Sequence, residues 1–142
     1  MALSDADVSF LADHRSAAMI TVSNEGVAKP SRVSVALLDG KLWSSGTQGR
    51  VRTKRLRRDP RCTLFVFDSE SAWRGLETTV TILDGPDAPQ QNLRLFREML
   101  GTPTGPLSWF GRDFSDEEFI QAMIDQERLV YEFEVHRSYG LG

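Results

Sequence analysis

One cysteine, Cys62, stands among the 142 residues of this chain, so no internal disulfide framework is open to it. Cys62 lies in the apolar run Cys62 to Phe67 and reads as a small buried filler rather than a nucleophile. The two histidines, His14 and His136, are too few and too far apart to build a zinc site with it. Both read as structural, and no metal is expected. No Gly-x-Ser-x-Gly elbow, no Gly-x-x-x-x-Gly-Lys loop and no Gly-x-Gly-x-x-Gly fingerprint occurs, which sets aside serine hydrolases and the common nucleotide loops. No apolar stretch approaches membrane-spanning length, and the first residues carry acids instead of a basic leader. The expectation is a cytoplasmic protein with no membrane partner.

What is present is an ordinary globular composition, 40% hydrophobic and 26% charged, and one domain over residues 1–142 is the natural reading. The net charge of −3 hides an asymmetry. Arg50 to Arg61 holds seven of the seventeen Lys and Arg and only one of the twenty acids, Asp59, so this segment carries +6 and the remainder −9. A focused positive site on an acidic body fits one locally bound anionic group.

The pattern predicts six strands and four helices. Ser4 caps a first helix, with Asp7 in the capping-box position, that ends near Arg15. Ala17 to Ser23 and a second extended run to Leu38 form a hairpin through Asn24, Glu25 and Gly26. Pro30 keeps the start of that second run from pairing on both sides. Asp39-Gly40 turns the chain into Leu42 to Ser45, which Gly46 and Gly49 break. Arg50 to Arg58 reads as a short helix stopped by Asp59-Pro60. Cys62 to Phe67 is a strand apolar on both faces, as in a barrel wall covered outside, and Trp73 to Leu83 is a long strand ended by Asp84-Gly85-Pro86. Pro89 to Leu100 is a helix with Leu93, Phe96 and Leu100 on one side, and Gly101 to Ser108 is a loop. Ser115 with Glu118 opens a fourth helix, and Leu129 to Val135 is the last strand. Sequential hairpins with few crossovers point to a mainly β chain with peripheral helices, a small six-stranded antiparallel barrel.

The chemistry concentrates in Gly46 to Arg61. Glycines before a helix expose backbone N–H groups, the helix start adds positive potential, and Arg50 and Arg52 offer guanidinium forks suited to phosphate oxygens. Arg57, Arg58 and Arg61 suit a solvated helix face instead, with Asp59 as local partner. A nucleic-acid partner, stacking bases on Phe65, Phe67 or Trp73, conflicts with the acidic remainder, which repels an extended polyanion.

Read together, the turn at Glu25-Gly26, the strand Val33 to Leu37 and the run Arg50-Val51-Arg52-Thr53-Lys54-Arg55-Leu56-Arg57-Arg58-Asp59-Pro60-Arg61 resemble the pyridoxamine 5′-phosphate oxidase-like split barrels. The flavin/deazaflavin oxidoreductase branch of actinobacteria is the most similar. The resemblance spans nearly the whole chain, including Trp73 to Glu77 and Tyr139-Gly140-Leu141. It implies a split β-barrel that forms a homodimer, with the cofactor at the interface and its phosphate held by the basic segment. Arg50 matches the family arginine, Arg52 stands where lysine is usual, Arg55 replaces an asparagine and Arg32 replaces a residue that is often proline. By the same resemblance Val33 and Ser34 approach the ring through their backbone, Ser44 and Ser45 approach the ribityl chain, and Trp73 either walls the pocket or is plain core. The implied cofactor is coenzyme F420, whose acidic tail suits Lys54 and Arg55, with FMN as the alternative. The implied activity is hydride transfer from reduced coenzyme F420 to an unsaturated or conjugated, small hydrophobic molecule. An FMN-dependent oxidase or reductase and a binding protein without turnover are the alternatives.

Overall fold

The computed structural model describes residues 3–142. Helix α1 (Asp5–Asp13) starts at the expected capping box, where the Asp7 N–H donates to Ser4 Oγ at 3.1 Å and the Ser4 N–H donates back to Asp7 Oδ2 at 3.1 Å. Strand β1 (Ser16–Val22) forms a hairpin with β2 (Ala28–Ser34), and β3 (Ala36–Leu38) forms a second with β4 (Lys41–Thr47). Then come α2 (Val51–Arg58), β5 (Arg61–Phe67), β6 (Trp73–Leu83) and α3 (Ala88–Leu100). A small hairpin of β7 (Leu107–Trp109) and β8 (Arg112–Phe114), α4 (Asp116–Asp125) and the 14-residue β9 (Arg128–Leu141) complete the described chain.

The main sheet has seven antiparallel strands in the order β2-β1-β5-β6-β9-β4-β3, one more than the six expected. The expected second strand is divided at Val35. That residue is fully buried, and its N–H leaves the ladder to donate to the Arg15 carbonyl at 2.7 Å. The run before it pairs with β1 at one edge of the sheet, and the run after it pairs with β4 at the other. One kinked segment therefore supplies both edges and draws the sheet into a half-barrel, with Ser44 Oγ donating to the Ser34 carbonyl across the junction at 2.7 Å. Pro30 sits on the outermost strand, as its missing donor requires.

Two other boundaries differ. The expected loop Gly101 to Ser108 runs into the β7–β8 hairpin, whose strands are too short to alternate visibly. The last strand continues past Val135, because its second half pairs with Trp73 to Glu77 beyond a register shift at Glu77/Thr78. On α3 the inward stripe is Ala88, Asn92, Leu95 and Phe96, and Leu100 is exposed rather than packed, so the helix is rotated from its expected setting.

The barrel interior is filled by Leu11, Met19, Val35, Leu64, Leu76, Leu129, Tyr131 and their neighbours, while Leu95 of α3 closes one outer face over Trp43 and Val130. Cys62 belongs to this interior, and burial pushes its thiol up to about 12. A thiol reagent is therefore expected to leave Cys62 unmodified in the native protein and to label it fully in denaturant. Fast labelling under native conditions would show that β5 opens.

Candidate functional site

The fold decides which cations of the basic segment converge. Strand β4 delivers the chain to Arg50, and α2 is pinned by two inward residues, Thr53 and Leu56, both buried. Thr53 Oγ1 donates to the Thr47 carbonyl at 2.7 Å and shares a short hydrogen bond with the Tyr131 hydroxyl. Gly46 makes this possible, since a Cβ there would lie 2.3 Å from the Tyr131 ring. With its inner face committed, α2 turns its other residues outward. Its first turn has no side-chain cap, which leaves backbone N–H groups available at the positive end of the helix.

Arg52 lies with its guanidinium 5.7 Å from the Tyr131 ring centroid, and its Nε is buried with no hydrogen-bond partner among the described residues. A buried unpaired donor costs about 1–3 kcal/mol, and such a group marks a place where an acceptor is missing. Arg50 is exposed next to it. A third cation, Arg128 at the start of β9, completes the cluster. The register of β4 against β9 sets Thr47 opposite Arg128. Burial lowers the Arg128 pKa, and the positive charges of Arg50 and Arg52 lower it further. Arg128 is steadied by donating from Nε to Gln126 Oε1 at 2.9 Å and, more loosely, from Nη1 to Ser45 Oγ at 3.4 Å. Ser45 in turn donates to the fully buried Asn92 at 2.6 Å, and Asn92 donates to the Ala88 carbonyl at 3.0 Å.

Among the described residues no carboxylate pairs with Arg50, Arg52, Lys54 or Arg55, although ion pairs occur elsewhere on the same segment. Arg57 donates to Gln48 and Asp84, and Arg58 to the Val22 carbonyl. Arg61 grips Asp59 through two side-chain hydrogen bonds, which with the Arg61 backbone N–H hold that carboxyl down to about 2. The segment thus divides into cations that are paired locally and cations that have no carboxylate partner among the described residues. A depression of about 360 Å³ beside Arg128 is lined also by Gln48, Asp84, Pro89, Met123 and Glu127.

The other residues singled out in the sequence lie apart from this cluster. Val33 is buried in the barrel, while Ser34 is exposed and holds the Ser44 hydroxyl through its carbonyl. Lys54 is exposed and Arg55 half-buried farther along α2. Trp73 lies on the outer face of the sheet, in a ladder of rings with Phe65 at 5.6 Å and Tyr139 at 6.0 Å. His136 shares a hydrogen bond with Thr79 Oγ1 at 2.6 Å, and His14 packs on Phe10. No group of three or more His, Cys, Asp or Glu among the described residues could hold a metal ion, and no helix there is long and apolar enough to cross a membrane. Arg128 and Asn92 escaped the sequence reading. Arg128 is far from the basic segment along the chain, and the available signal was a lone arginine opening the last strand.

No family model matches the chain, and no curated protein matches it. Solved structures do match. A conserved hypothetical protein, Rv2991, of Mycobacterium tuberculosis superposes with a TM-score of 0.70 over 99% of this chain and 85% of its own, at 21% identity. An F420 reductase matches with a TM-score of 0.69 over 96% of this chain and 98% of its own, at 15% identity. A provisionally assigned pyridoxamine 5′-phosphate oxidase of Listeria innocua matches with a TM-score of 0.67 over 96% of each chain, also at 15% identity. The chain is a pyridoxamine 5′-phosphate oxidase-like split barrel in fold. Within this split barrel the arginine cluster occupies the corner where β4, α2 and β9 meet.

Proposed function

We propose that this split barrel is an oxidoreductase that binds coenzyme F420 through its phosphate at Arg50, Arg52 and Arg128 and serves hydride transfer to an unsaturated or conjugated organic molecule. The observation that carries the reading is the set of unneutralised guanidinium groups around the partnerless Arg52 Nε. Each charge-assisted hydrogen bond to a phosphate contributes about 1.5–3 kcal/mol, so this donor set fits a phosphorylated cofactor. The cofactor, when bound, supplies the hydride. Lys54 and Arg55 are left to meet an acidic tail, which favours the deazaflavin over FMN. Ser45 keeps Arg128 in place, Ser44 lies on the ribityl path, the Val33 and Ser34 backbone faces the ring, and Trp73 walls the substrate side. A small hydrophobic substrate suits such aromatic surroundings.

The reading includes a homodimer in the cytoplasm. Support comes from the outer sheet face, where the rings of Phe67, Phe65, Trp73 and Tyr139 contact one another in that order and Leu141 is 60% exposed. The Tyr139 ring covers Gly75, where a Cβ would lie 2.5 Å from the nearest ring atom. A contiguous apolar patch of this kind is what a protein interface uses. Sedimentation at micromolar protein is expected to give a dimer independent of concentration, and Phe67→Glu a monomer. A wild-type monomer that still binds cofactor would contradict the interface.

The test of function is a pair of fluorescence titrations on cofactor-stripped protein, with coenzyme F420 and with FMN. Tight binding of the first and weak binding of the second is the expected result. The reverse assigns an FMN-dependent oxidase or reductase, and failure of both removes the cofactor reading. Oxidation of reduced coenzyme F420 with a panel of enones and quinones then separates an enzyme from a binding protein without turnover.

A further inference from the structure

The β7–β8 hairpin connects the arginine cluster to an exposed ring that no structural role accounts for. Its base is anchored, with Leu107 and Phe114 buried against Phe96, Phe119 and Met123 of α3 and α4. Trp109 packs on Phe96 at 5.4 Å and lies with its ring centroid 5.6 Å from the Arg128 guanidinium. Phe110 follows at 5.0 Å from Trp109 and is 89% exposed at the tip. From Arg128 to Phe110 the structure therefore offers two successive ring-sized steps.

The turn itself breaks a local rule. Phe110 and Gly111 have φ of 50° and 72°, the two left-handed positions of a tight hairpin turn, where Asn or Asp is the favoured first residue. The same chain makes the same kind of turn at Asp39 and Gly40, with φ of 51° and 78°, using the favoured pair. At the second turn a bulky aromatic residue is placed instead in a disfavoured backbone region and held in water. Departures from local preference without a packing gain gather at ligand clamps and functional sites.

We infer that Trp109 and Phe110 form an aromatic platform that stacks a planar heteroaromatic group of the ligand whose phosphate lies at Arg50, Arg52 and Arg128. The inference rests on the anion site of the proposed function and not on the identity of the cofactor. The stacked group is either the redox ring of a mononucleotide or the second base of a dinucleotide. The two sources share one chemistry, a flat π-system joined by a short linker to a phosphate, and stacking of this kind tolerates either.

The test compares wild type, Phe110→Ala and Phe110→Tyr in calorimetric titrations with coenzyme F420, FMN, FAD and ribose 5-phosphate. Phe110 is 89% exposed, so the alanine variant is expected to fold. Phe110→Ala should weaken at least one of the three cofactors at least fivefold, Phe110→Tyr should restore it, and ribose 5-phosphate should bind all three proteins equally. An effect on coenzyme F420 or FMN assigns the platform to the redox ring, and an effect on FAD alone assigns it to the second base. Equal affinities of wild type and Phe110→Ala for all three cofactors would overturn the platform while leaving the anion site standing. Failure of wild type to bind any of the four ligands would overturn both.

Discussion

Replacing Arg74 with alanine is expected to cost the protein about 3–5 kcal/mol of stability, because the change leaves a carboxylate buried without its partner. Arg74 Nε donates to Asp7 Oδ1 at 2.9 Å, and both side chains are about nine-tenths buried. The other guanidinium nitrogens donate to the carbonyls of Trp73, Leu141 and Gly142, and the guanidinium carbon lies 4.6 Å from the Phe10 ring centroid. One side chain thus ties α1, β6 and the end of β9 together. At the usual sensitivity of a domain of this size the melting temperature should fall by roughly 10–17 °C. A drop of only a degree or two would show that water reaches Asp7.

The pH dependence has a defined sign. Burial pushes the Asp7 carboxyl up, but hydrogen bonds from the Ser4 backbone and from the Arg74, Ser138 and Ser4 side chains outweigh it, so its pKa is lowered. A carboxyl whose pKa is lower when folded contributes stability that is complete above the ordinary carboxylate range and lost as pH falls through the folded value. The difference in melting temperature between wild type and Asp7→Asn should therefore be largest near neutrality and shrink as the solution is acidified below about pH 4.

The second large effect separates binding from stability. Arg52→Ala and Arg128→Ala should each weaken cofactor binding at least tenfold, about 1.4 kcal/mol, and Arg50→Ala should do the same. The cofactor-free Arg52→Ala protein should melt no lower than wild type, since the change removes a buried unpaired donor and relieves repulsion with Arg128. A group that costs the empty protein and stabilises the loaded one is the signature of a ligand site. Unchanged affinity in all three variants would remove the phosphate assignment, and a marked loss of melting temperature would make the cluster structural.

Much of this was legible in the sequence wherever turn chemistry punctuates it. The strand Trp73 to Leu83 and the helix ending at Asp59-Pro60 have the expected ends, because Asp84-Gly85-Pro86 and Asp59-Pro60 act within a few residues. Both capping boxes form for the same local reason. The break at Val35 was invisible, since it depends on the Arg15 carbonyl and on the curl of the whole sheet, and Val35 itself suits an unbroken strand. The second half of β9 was missed because it faces an uncovered surface and lacks the alternation that burial imposes. At the site, the basic segment could be seen directly. What it could not show was which of its cations are already satisfied, because the partner of Arg57 is Asp84 and the neighbour of Arg52 is Arg128, both brought in by tertiary structure.

The division of one segment into both edges of the sheet also limits how copies of this molecule can meet. An open sheet edge is a template on which another chain can lengthen the ladder. Here one edge carries Lys29, Pro30 and Arg32, and the other is a strand of three residues, so neither gives an incoming strand a long uninterrupted row of free donors and acceptors. Growth by end-on addition into fibres is closed off, while the broad face bearing Phe67 and Tyr139 stays open to a contact that terminates once it is made.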